Sequence, residues 1–465
     1  MSREPLPEVH VPRQFPLLPG KGRLREWPRL RGVAAVFTTM SALAATSLIA
    51  DPSVAEPFDT SACALERTGA HHSEGLNTWN AAYPRPTREL DAVMIFLSFP
   101  DAVPRTTPAE LTADHFPATT HFFERASYGR FTLRPHPLRH WLRMPRPSTA
   151  YAIQRDWSVD DRAAYLRDAL AAADREVDFS RYDVVYFVAD PDAPGVDSDA
   201  TKVVNLDTPL HADGADIRRV VTVFENHPPD RLVLAHETGH VFDLPDLYHR
   251  PVDGKGDWDT YVGDWDLMGS QFGMAPDLFG WHKWKLGWLE PRQVMCVQAA
   301  RASGARLTLE PLAVGRGVPV QPGAAGAPGA VGSFGAPGTA GAVPGFGLGN
   351  GIKLAVVRTG PESALAFEVR GPAGNDTQAC RQGVLVYRVR SQTESGGGPV
   401  EVIDAHPRTE ACWEQSVYPP LADAPVGVGE SFTVPGEGVR VEVEGRTASG
   451  AWTVKIAPAR GARGG

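Results

Sequence analysis

The pattern of apolar residues changes near residue 300, and this change constrains the fold more than any other feature. Before that point, apolar runs of strand length alternate with segments of helical spacing. After it, short alternating segments such as ALAFEVRG and GVLVYRVRS follow one another between glycines and prolines. Such segments are typical of antiparallel sheets. The sequence therefore predicts an α+β domain followed by an all-β, sandwich-like domain.

Changes in composition set the expected boundaries. Residues 86–298 form the predicted α+β domain, residues 299–460 form the β domain, and residues 461–465 are a tail. The run Gly315–Asn350 is rich in Gly, Pro and Ala. Few of its residues can form a core, so we expect a disordered loop at 315–350. Residues 56–85 read as an irregular lead-in or a short pro-segment.

Individual elements of the first domain follow from periodicity and from the residues that end them. The predicted strands are Asp91–Phe99, Tyr182–Asp190 and Arg218–Glu225. The predicted helices are Ala109–Gly129, which ends at a glycine, and Asp160–Val177, which begins with acidic residues.

The first 55 residues have the order of a secretory signal with a long basic leader. A basic segment, Arg23–Gly32, precedes the uncharged run Val33–Ala50, and small residues follow at Ser53 and Ala55. We therefore expect a secreted protein that has no stable membrane association once the signal is cleaved. The alternative is a membrane anchor formed by Val33–Ala50.

Net charge and cysteine content limit the classes of partner and the disulfide pairings. The formal net charge of -9 argues against nucleic acid as the main partner. The four cysteines suggest two disulfides in an exported protein, and three pairings are possible. Cys63 with Cys296 and Cys380 with Cys412 are each plausible pairs. Nothing in the sequence indicates the oligomeric state.

The segment RLVLAHETGHVF contains the motif HExxH in a helical context, and Asp230 just before it is a candidate helix cap. Positions i and i+4 lie on one helical face, so His236 and His240 can reach one metal ion. Glu237 then faces a water on that metal and can take its proton. Taken alone, two histidines on an apolar helix are more often core or surface residues.

The residues that follow strengthen the metal interpretation. A catalytic zinc needs a third protein ligand, and Asp246 occupies the last position of the pattern HExxHxxGxxD. The segment VGDWDLMGS then supplies Met268 between turn residues. A methionine in a turn below the zinc is the second hallmark of metzincin-type peptidases.

Four segments together resemble the immune inhibitor A family of secreted bacterial metallopeptidases. They are HETGHVFDLPDLY, VGDWDLMG, APDLFGWHKWKLGWL and HFFERASYGRFTL. The resemblance covers about residues 86–295. It implies a metzincin-like zinc endopeptidase in which His236, His240 and Asp246 bind Zn2+, Glu237 is the general base and Met268 is the turn methionine. It also makes Ca2+ a candidate second metal, for which the acidic segments Ala189–Asp199 and Asp253–Asp266 offer oxygen ligands.

The chain departs from the family at Asp243, where the family has glycine. Asp tolerates the left-handed backbone region better than most residues do, so the turn can persist. Asp243 and His249 are then rivals of Asp246 as third ligand. The expected function is hydrolysis of protein or peptide substrates by a zinc-bound water that Glu237 activates. The alternative is an inactive peptidase relic that acts as a secreted binding or adhesion protein through its β domain.

Overall fold

The computed structural model of this chain describes residues 60–230, 232–251, 255–298, 304–315 and 348–459. The expected signal peptide, the tail and almost all of the Gly/Pro/Ala-rich loop lie outside the described residues. The described residues belong to one compact unit, Pro57–Gly465, in which helices and sheets are mixed. This mixture agrees with the predicted α+β class.

Five strands form the first sheet. They are β1 Glu89–Ser98, β2 Thr132–Arg143, β3 Val184–Ala189, β4 Lys202–Ala212 and β5 Ala215–Val223. Their order is β2-β1-β3-β5-β4. The first four strands in this order are parallel, whereas β4 runs antiparallel to β5 and forms one edge. The central strands β1 and β3 are buried along most of their length, as strands covered on both faces must be.

Helices cover both faces of this sheet. They are α1 Pro108–His115, α2 Ala118–Ala126, α3 Val159–Ala173 and α4 Val233–Val241. Successive residues of a strand point to opposite faces. Accordingly, Met94 and Phe96 of β1 pack in one cluster with α2 and α4, while Ile95 and Leu97 pack in a second cluster with α3. The helix that carries HExxH therefore lies against the same face as α2.

Two sequence predictions differ from the observed elements. The helix expected at Ala109–Gly129 is divided into α1 and α2, because Phe116 is extended (φ -119°, ψ 139°) in front of Pro117. Proline disfavours a helical conformation in the residue before it and removes an N–H donor. Strand β4 was not predicted, since Pro209 interrupts its alternation; its pairing with β5 is irregular between Asn205 and Leu210.

The second half of the chain forms two further sheets, as the alternating segments predicted. Their strands are β6 Val294–Cys296, β7 Ala305–Leu309, β8 Leu354–Arg358, β9 Ser363–Arg370, β10 Gly383–Arg390, β11 Val400–Val402, β12 Ser431–Val434, β13 Val439–Arg446 and β14 Trp452–Pro458. The sheet orders are β11-β10-β9-β8-β6 and β12-β13-β14-β7. Side chains of both sheets share one apolar cluster, so the two sheets pack face to face. Two short helices, α5 Gly280–Lys285 and α6 Pro419–Ala422, complete the α-helices of the described residues.

The sheet β11-β10-β9-β8-β6 has a buried surface on both sides. Ala355 and Phe367 face the β-sandwich cluster, while Val356 and Ala366 pack in the same cluster as α4. The β strands therefore contribute directly to the core that supports the HExxH helix. The predicted domain boundary near residue 298 stays a prediction. The hydrophobic core continues across this position without a gap.

Two disulfides link distant parts of the chain. Cys63 bonds to Cys296 and Cys380 bonds to Cys412, which is the pairing that the sequence made plausible. The first disulfide joins the expected lead-in to β6. Beyond it, Ser73 and Glu74 are completely buried, so the described lead-in is part of the core. Among the described residues, no helix is long and apolar enough to cross a membrane.

Candidate metal and active site

Helix α4 places the two motif histidines inside the protein. All nine of its residues are buried. The helix starts after Leu232, which has a left-handed backbone (φ 58°), and no side chain caps it. The prediction that Asp230 caps this helix is therefore wrong. Asp230 is exposed and its Oδ2 instead accepts a hydrogen bond from Nε2 of Gln271 at 3.4 Å.

Each histidine is oriented by a backbone carbonyl. Nδ1 of His236 lies 2.9 Å from the carbonyl oxygen of Leu267, and Nδ1 of His240 lies 2.8 Å from that of Leu244. A carbonyl oxygen only accepts hydrogen bonds, so both Nδ1 atoms donate. In the neutral imidazole, Nε2 then carries a free lone pair. This arrangement is the one that metal-bound histidines use.

Asp246 completes the cluster. Its Oδ1 lies 3.3 Å from Nε2 of His236 and 3.0 Å from Nε2 of His240. The three ligand atoms lie within 4.8 Å of one another. Oδ1 is buried yet makes no hydrogen bond of acceptable geometry, although it is close to both rings. These atoms converge on a shared point, as ligands of one metal ion do.

The electrostatics of the cluster match this convergence. Burial opposes ionisation of Asp246, but His240 and His236 hold its pKa well below the usual range. Burial would also lower the pKa of His240, but the Asp246 carboxylate raises it to about 9. The group therefore holds one negative charge that a proton or a metal cation neutralises. The residues present fit a metal ion.

Asp246 is held in place from the β half of the chain. Its backbone N–H donates to Oγ of Ser395 at 2.7 Å, and the same hydroxyl donates to Oδ2 of Asp246 at 3.2 Å. Its carbonyl oxygen accepts from the backbone N–H of Gly396 at 3.0 Å. The loop between β10 and β11 thus fixes the third ligand. Nothing in the HExxH region of the sequence indicates this contact.

Glu237 lies beside the cluster at the edge of the sheet. Its Oε2 accepts a hydrogen bond from the backbone N–H of Val203 in β4 at 2.6 Å. Burial raises the pKa of Glu237, while the nearby histidines oppose the increase. A carboxylate with a raised pKa next to a metal-binding cluster is suited to accept and return a proton.

Met268 lies directly below the helix. A Cβ added to Gly239 would lie 2.5 Å from Sδ of Met268, so the absence of a side chain at Gly239 allows this contact. The backbone carbonyl of Met268 also accepts from the N–H of Leu247 at 2.9 Å. The predicted turn methionine therefore packs against the motif helix and bonds to the segment after Asp246.

The two rival ligands lie apart from the cluster. Asp243 has a left-handed backbone (φ 67°), as its replacement of glycine requires. Its carboxylate bonds to Nη1 of Arg67 at 2.5 Å and to Nδ1 of His72 at 3.0 Å. The ring of His249 packs 5.2 Å from that of Tyr261. Within the described residues, only His236, His240 and Asp246 form a group of three that can hold a metal ion.

A buried charge network that no local sequence pattern indicates supports the Met268 turn. His282 bonds through Nε2 to Glu74 at 2.8 Å and through Nδ1 to Asp266 at 3.0 Å. Asp266 in turn accepts the backbone N–H of Met268 at 2.8 Å. Burial would lower the pKa of His282, but Glu74 and Asp266 raise it to about 9. Both the lead-in and α5 therefore hold the turn in place.

A cleft of about 390 Å³ opens onto His236 and Glu237. Tyr248 and Trp258 lie on its wall, and the ring of Tyr248 is nearly parallel to that of His236 at 6.5 Å. Trp265, Trp281 and Trp288 are instead fully buried. These three tryptophans belong to the hydrophobic core rather than to the cleft.

No protein-family model matches this chain, and a search of curated proteins finds no match. The resemblance to the immune inhibitor A family therefore rests on the quoted segments. Within the described residues, neither acidic segment considered for calcium contributes to the metal-holding group, and calcium stays a prediction.

Proposed function

We propose that this protein is a secreted, metzincin-like zinc endopeptidase related to the immune inhibitor A family. The observation that carries the proposal is the convergence of His236, His240 and Asp246 beside the buried Glu237 at the mouth of a cleft. Met268 below the helix and the resemblance of four segments support the same class. The two disulfides agree with an exported protein.

The ligand set suits zinc. Two imidazole nitrogens and one carboxylate oxygen are among the usual donors of a catalytic site, which leaves one position open. The carbonyls of Leu267 and Leu244 keep both imidazoles in the ligating tautomer. A bound zinc supplies Lewis acidity, which lowers the pKa of water and polarises a carbonyl group.

Glu237 performs the proton transfers. Its carboxylate accepts a proton from the attacking water, and the carboxylic acid then delivers this proton to the nitrogen of the leaving amine. The new C–O bond forms first, and the peptide C–N bond breaks when the protonated amine leaves, so one water is consumed for each bond cleaved. The hydrogen bond from Val203 to Oε2 fixes the carboxylate, so Oε1 is the oxygen available for proton transfer.

The edge strand gives the substrate a place to bind. β4 ends the sheet and is joined to Glu237 through Val203. An extended peptide can add to such an edge by backbone hydrogen bonds, and this would carry its carbonyl past the metal cluster. We therefore expect protein or peptide substrates.

The test compares wild type with the Glu237→Gln variant on a mixed protein substrate after zinc loading. Glutamine keeps the shape of the side chain but cannot accept the proton, so we expect kcat to fall by about 10²–10⁴-fold. Zinc content, measured by mass spectrometry, should stay unchanged. Glu410→Gln, an exposed site far along the β half, is the matched control and should retain full activity.

Two results would contradict the proposal. If zinc-loaded wild type cleaves nothing, the alternative of an inactive relic that binds through its β sheets gains support. If Glu237→Gln cleaves as fast as wild type, hydrolysis takes place elsewhere or comes from a contaminant.

A further inference from the structure

We propose that the cleft beside the metal cluster selects a peptide residue with a cationic side chain, lysine or arginine. This inference rests on the proposed peptidase function, because it concerns the substrate of the same site. It follows from the charges that line the cleft. Neither the HExxH motif nor the Met268 turn contains this information.

Carboxylates dominate the cleft beyond the catalytic Glu237. Four acidic side chains line it, those of Asp199, Glu225, Asp230 and Asp259, against one basic side chain, that of Arg155. Asp199, Glu225 and Asp230 come from the loops next to β4 and β5. Asp259 comes from a different segment of the chain, next to Trp258. A side chain in the cleft would therefore meet negative charge from both segments.

None of these four carboxylates forms an ion pair in the part of the chain that the structure describes. Asp199 and Asp230 are exposed to solvent, whereas Glu225 and Asp259 are partly buried. These two contrast with carboxylates at other partly buried positions, such as Asp168 with Arg146 and Glu401 with Arg390. The N–H and hydroxyl groups nearby supply only neutral partners: Glu225 accepts from the backbone N–H of Asp230, and Asp259 interacts with Ser270. The charge of the cleft is therefore left for a ligand to balance.

The surroundings of two of these carboxyl groups oppose their ionisation. Burial raises the pKa of Glu225, and the neighbouring Asp230 and Glu237 raise it further. Burial likewise raises the pKa of Asp259 to about 6, with Asp264 and Asp257 adding to the effect. A cation placed between the walls would relieve this repulsion in a poorly solvated space.

A small metal ion does not fit these four groups as they stand. Within the described residues, only His236, His240 and Asp246 bring three ligand atoms within 4.8 Å of one another. The cleft carboxylates are more widely spread, so they suit a long side chain that meets them in turn. The volume of the cleft, about 390 Å³, lies within the usual range of ligand-binding pockets.

The nearby cations do not cancel this charge. The guanidinium of Arg155 lies over the ring of Trp258, 4.7 Å from its centre, which holds it against one wall. Nζ of Lys202 donates to the backbone carbonyl of Arg155 at 2.5 Å. A zinc ion in the cluster would add two positive charges, of which Asp246 balances one.

The experiment maps cleavage sites in a digest of denatured proteins and then uses matched peptides. The peptides differ only at the selected position, which carries lysine, norleucine or glutamate. We expect kcat/KM for lysine to exceed that for norleucine by about tenfold, as charge-assisted hydrogen bonds allow. The Glu225→Gln and Asp259→Asn variants should reduce this ratio toward one while still cleaving the norleucine peptide. Glu410→Gln should leave the ratio unchanged.

The affinities of the three peptides for the Glu237→Gln variant test this inference separately from the proposed function. If peptides are cleaved with no preference for lysine or arginine at any position, the cationic specificity is refuted and the peptidase function stands. If nothing is cleaved but the lysine peptide binds more tightly than norleucine, the peptidase function fails and the cationic preference stands. Equal binding of all three peptides would refute the preference.

Discussion

Asp243 and Arg67 form a partly buried ion pair, with Oδ2 and Nη1 2.5 Å apart, between the end of the motif helix and the lead-in. His72 bonds to the other carboxylate oxygen, and its ring stacks on that of His240 at 5.7 Å. Burial opposes ionisation of Asp243, but these partners lower its pKa to about 2. Asp243 therefore joins two parts of the core.

The first prediction is that Asp243→Gly destabilises the protein. Glycine relieves the left-handed backbone strain, but it leaves Arg67 and His72 without their partner. Removal of one member of a buried ion pair costs about 3–5 kcal/mol, whereas the strain is worth only about 1–3 kcal/mol. Urea unfolding measures the balance. As a control, Ala152→Gly at an exposed left-handed position (φ 48°) removes no side-chain hydrogen bond, so it should not lower stability. A more stable Asp243→Gly variant would show that the ion pair stabilises the protein by less than the backbone strain costs.

The second prediction concerns the third ligand. Asp246→Ala should lose most of the bound zinc, because two histidines remain and Oδ1 is gone. His249→Gln should keep its zinc, since His249 packs against Tyr261 outside the cluster. Equilibrium dialysis followed by metal analysis distinguishes the two. If His249→Gln loses zinc and Asp246→Ala retains it, the assignment of Asp246 is wrong.

The third prediction is that Gly239→Ala is harmful, even though alanine favours a helix by about 1 kcal/mol over glycine. The new methyl group would overlap Sδ of Met268, and overpacking of this kind costs about 1–3 kcal/mol. The same substitution in a Met268→Ala background should cost less, because the clash is removed. Thermal unfolding of the single and double variants measures this coupling. Equal losses in both backgrounds would mean that Met268 does not limit the space.

The site residues could be predicted from the sequence because they lie close together in it. His236, Glu237 and His240 share one helical turn, and Asp246 follows within a few residues. Their supports could not be predicted in this way. Ser395, which holds Asp246, is 149 residues distant, and Glu74 reaches His282 across 208 residues. No local pattern records such contacts.

The elements of the fold likewise include some that were predicted from the sequence and some that were missed. Strands with continuous apolar runs, such as β1 and β3, were predicted because burial on both faces leaves a clear signal. Strand β4 was missed because an edge strand with Pro209 lacks regular alternation. The lead-in has too few apolar residues to indicate a core segment. Leu65 does pack in the core, but the segment is also held there by buried charged groups and a disulfide, which composition does not reveal.

The fourth prediction is a pH dependence of stability from His282. Its pKa is 6.5 in the unfolded chain and about 9 in the folded protein. Below pH 6.5 both states are protonated and the stabilisation is fully present; between pH 6.5 and 9 it is lost, because only the folded state still holds the proton. We therefore expect the stability difference between wild type and His282→Gln to shrink over this range. Urea unfolding of the zinc-loaded proteins at several pH values measures it. A difference that grows with pH would contradict the buried ion pairs.

The fifth prediction is that the lead-in from Cys63 onward belongs to the mature protein. A pro-segment is removed on activation, but here its removal would break the disulfide to Cys296 and empty the buried position of Glu74. It would also leave His282 with Asp266 alone and deprive the Asp243 carboxylate of Arg67 and His72. The active enzyme should therefore contain the peptide around Cys63, as mass spectrometry under non-reducing and reducing conditions would show. If the most active form lacks this peptide under both conditions, the lead-in is a pro-segment and its contacts describe a latent state.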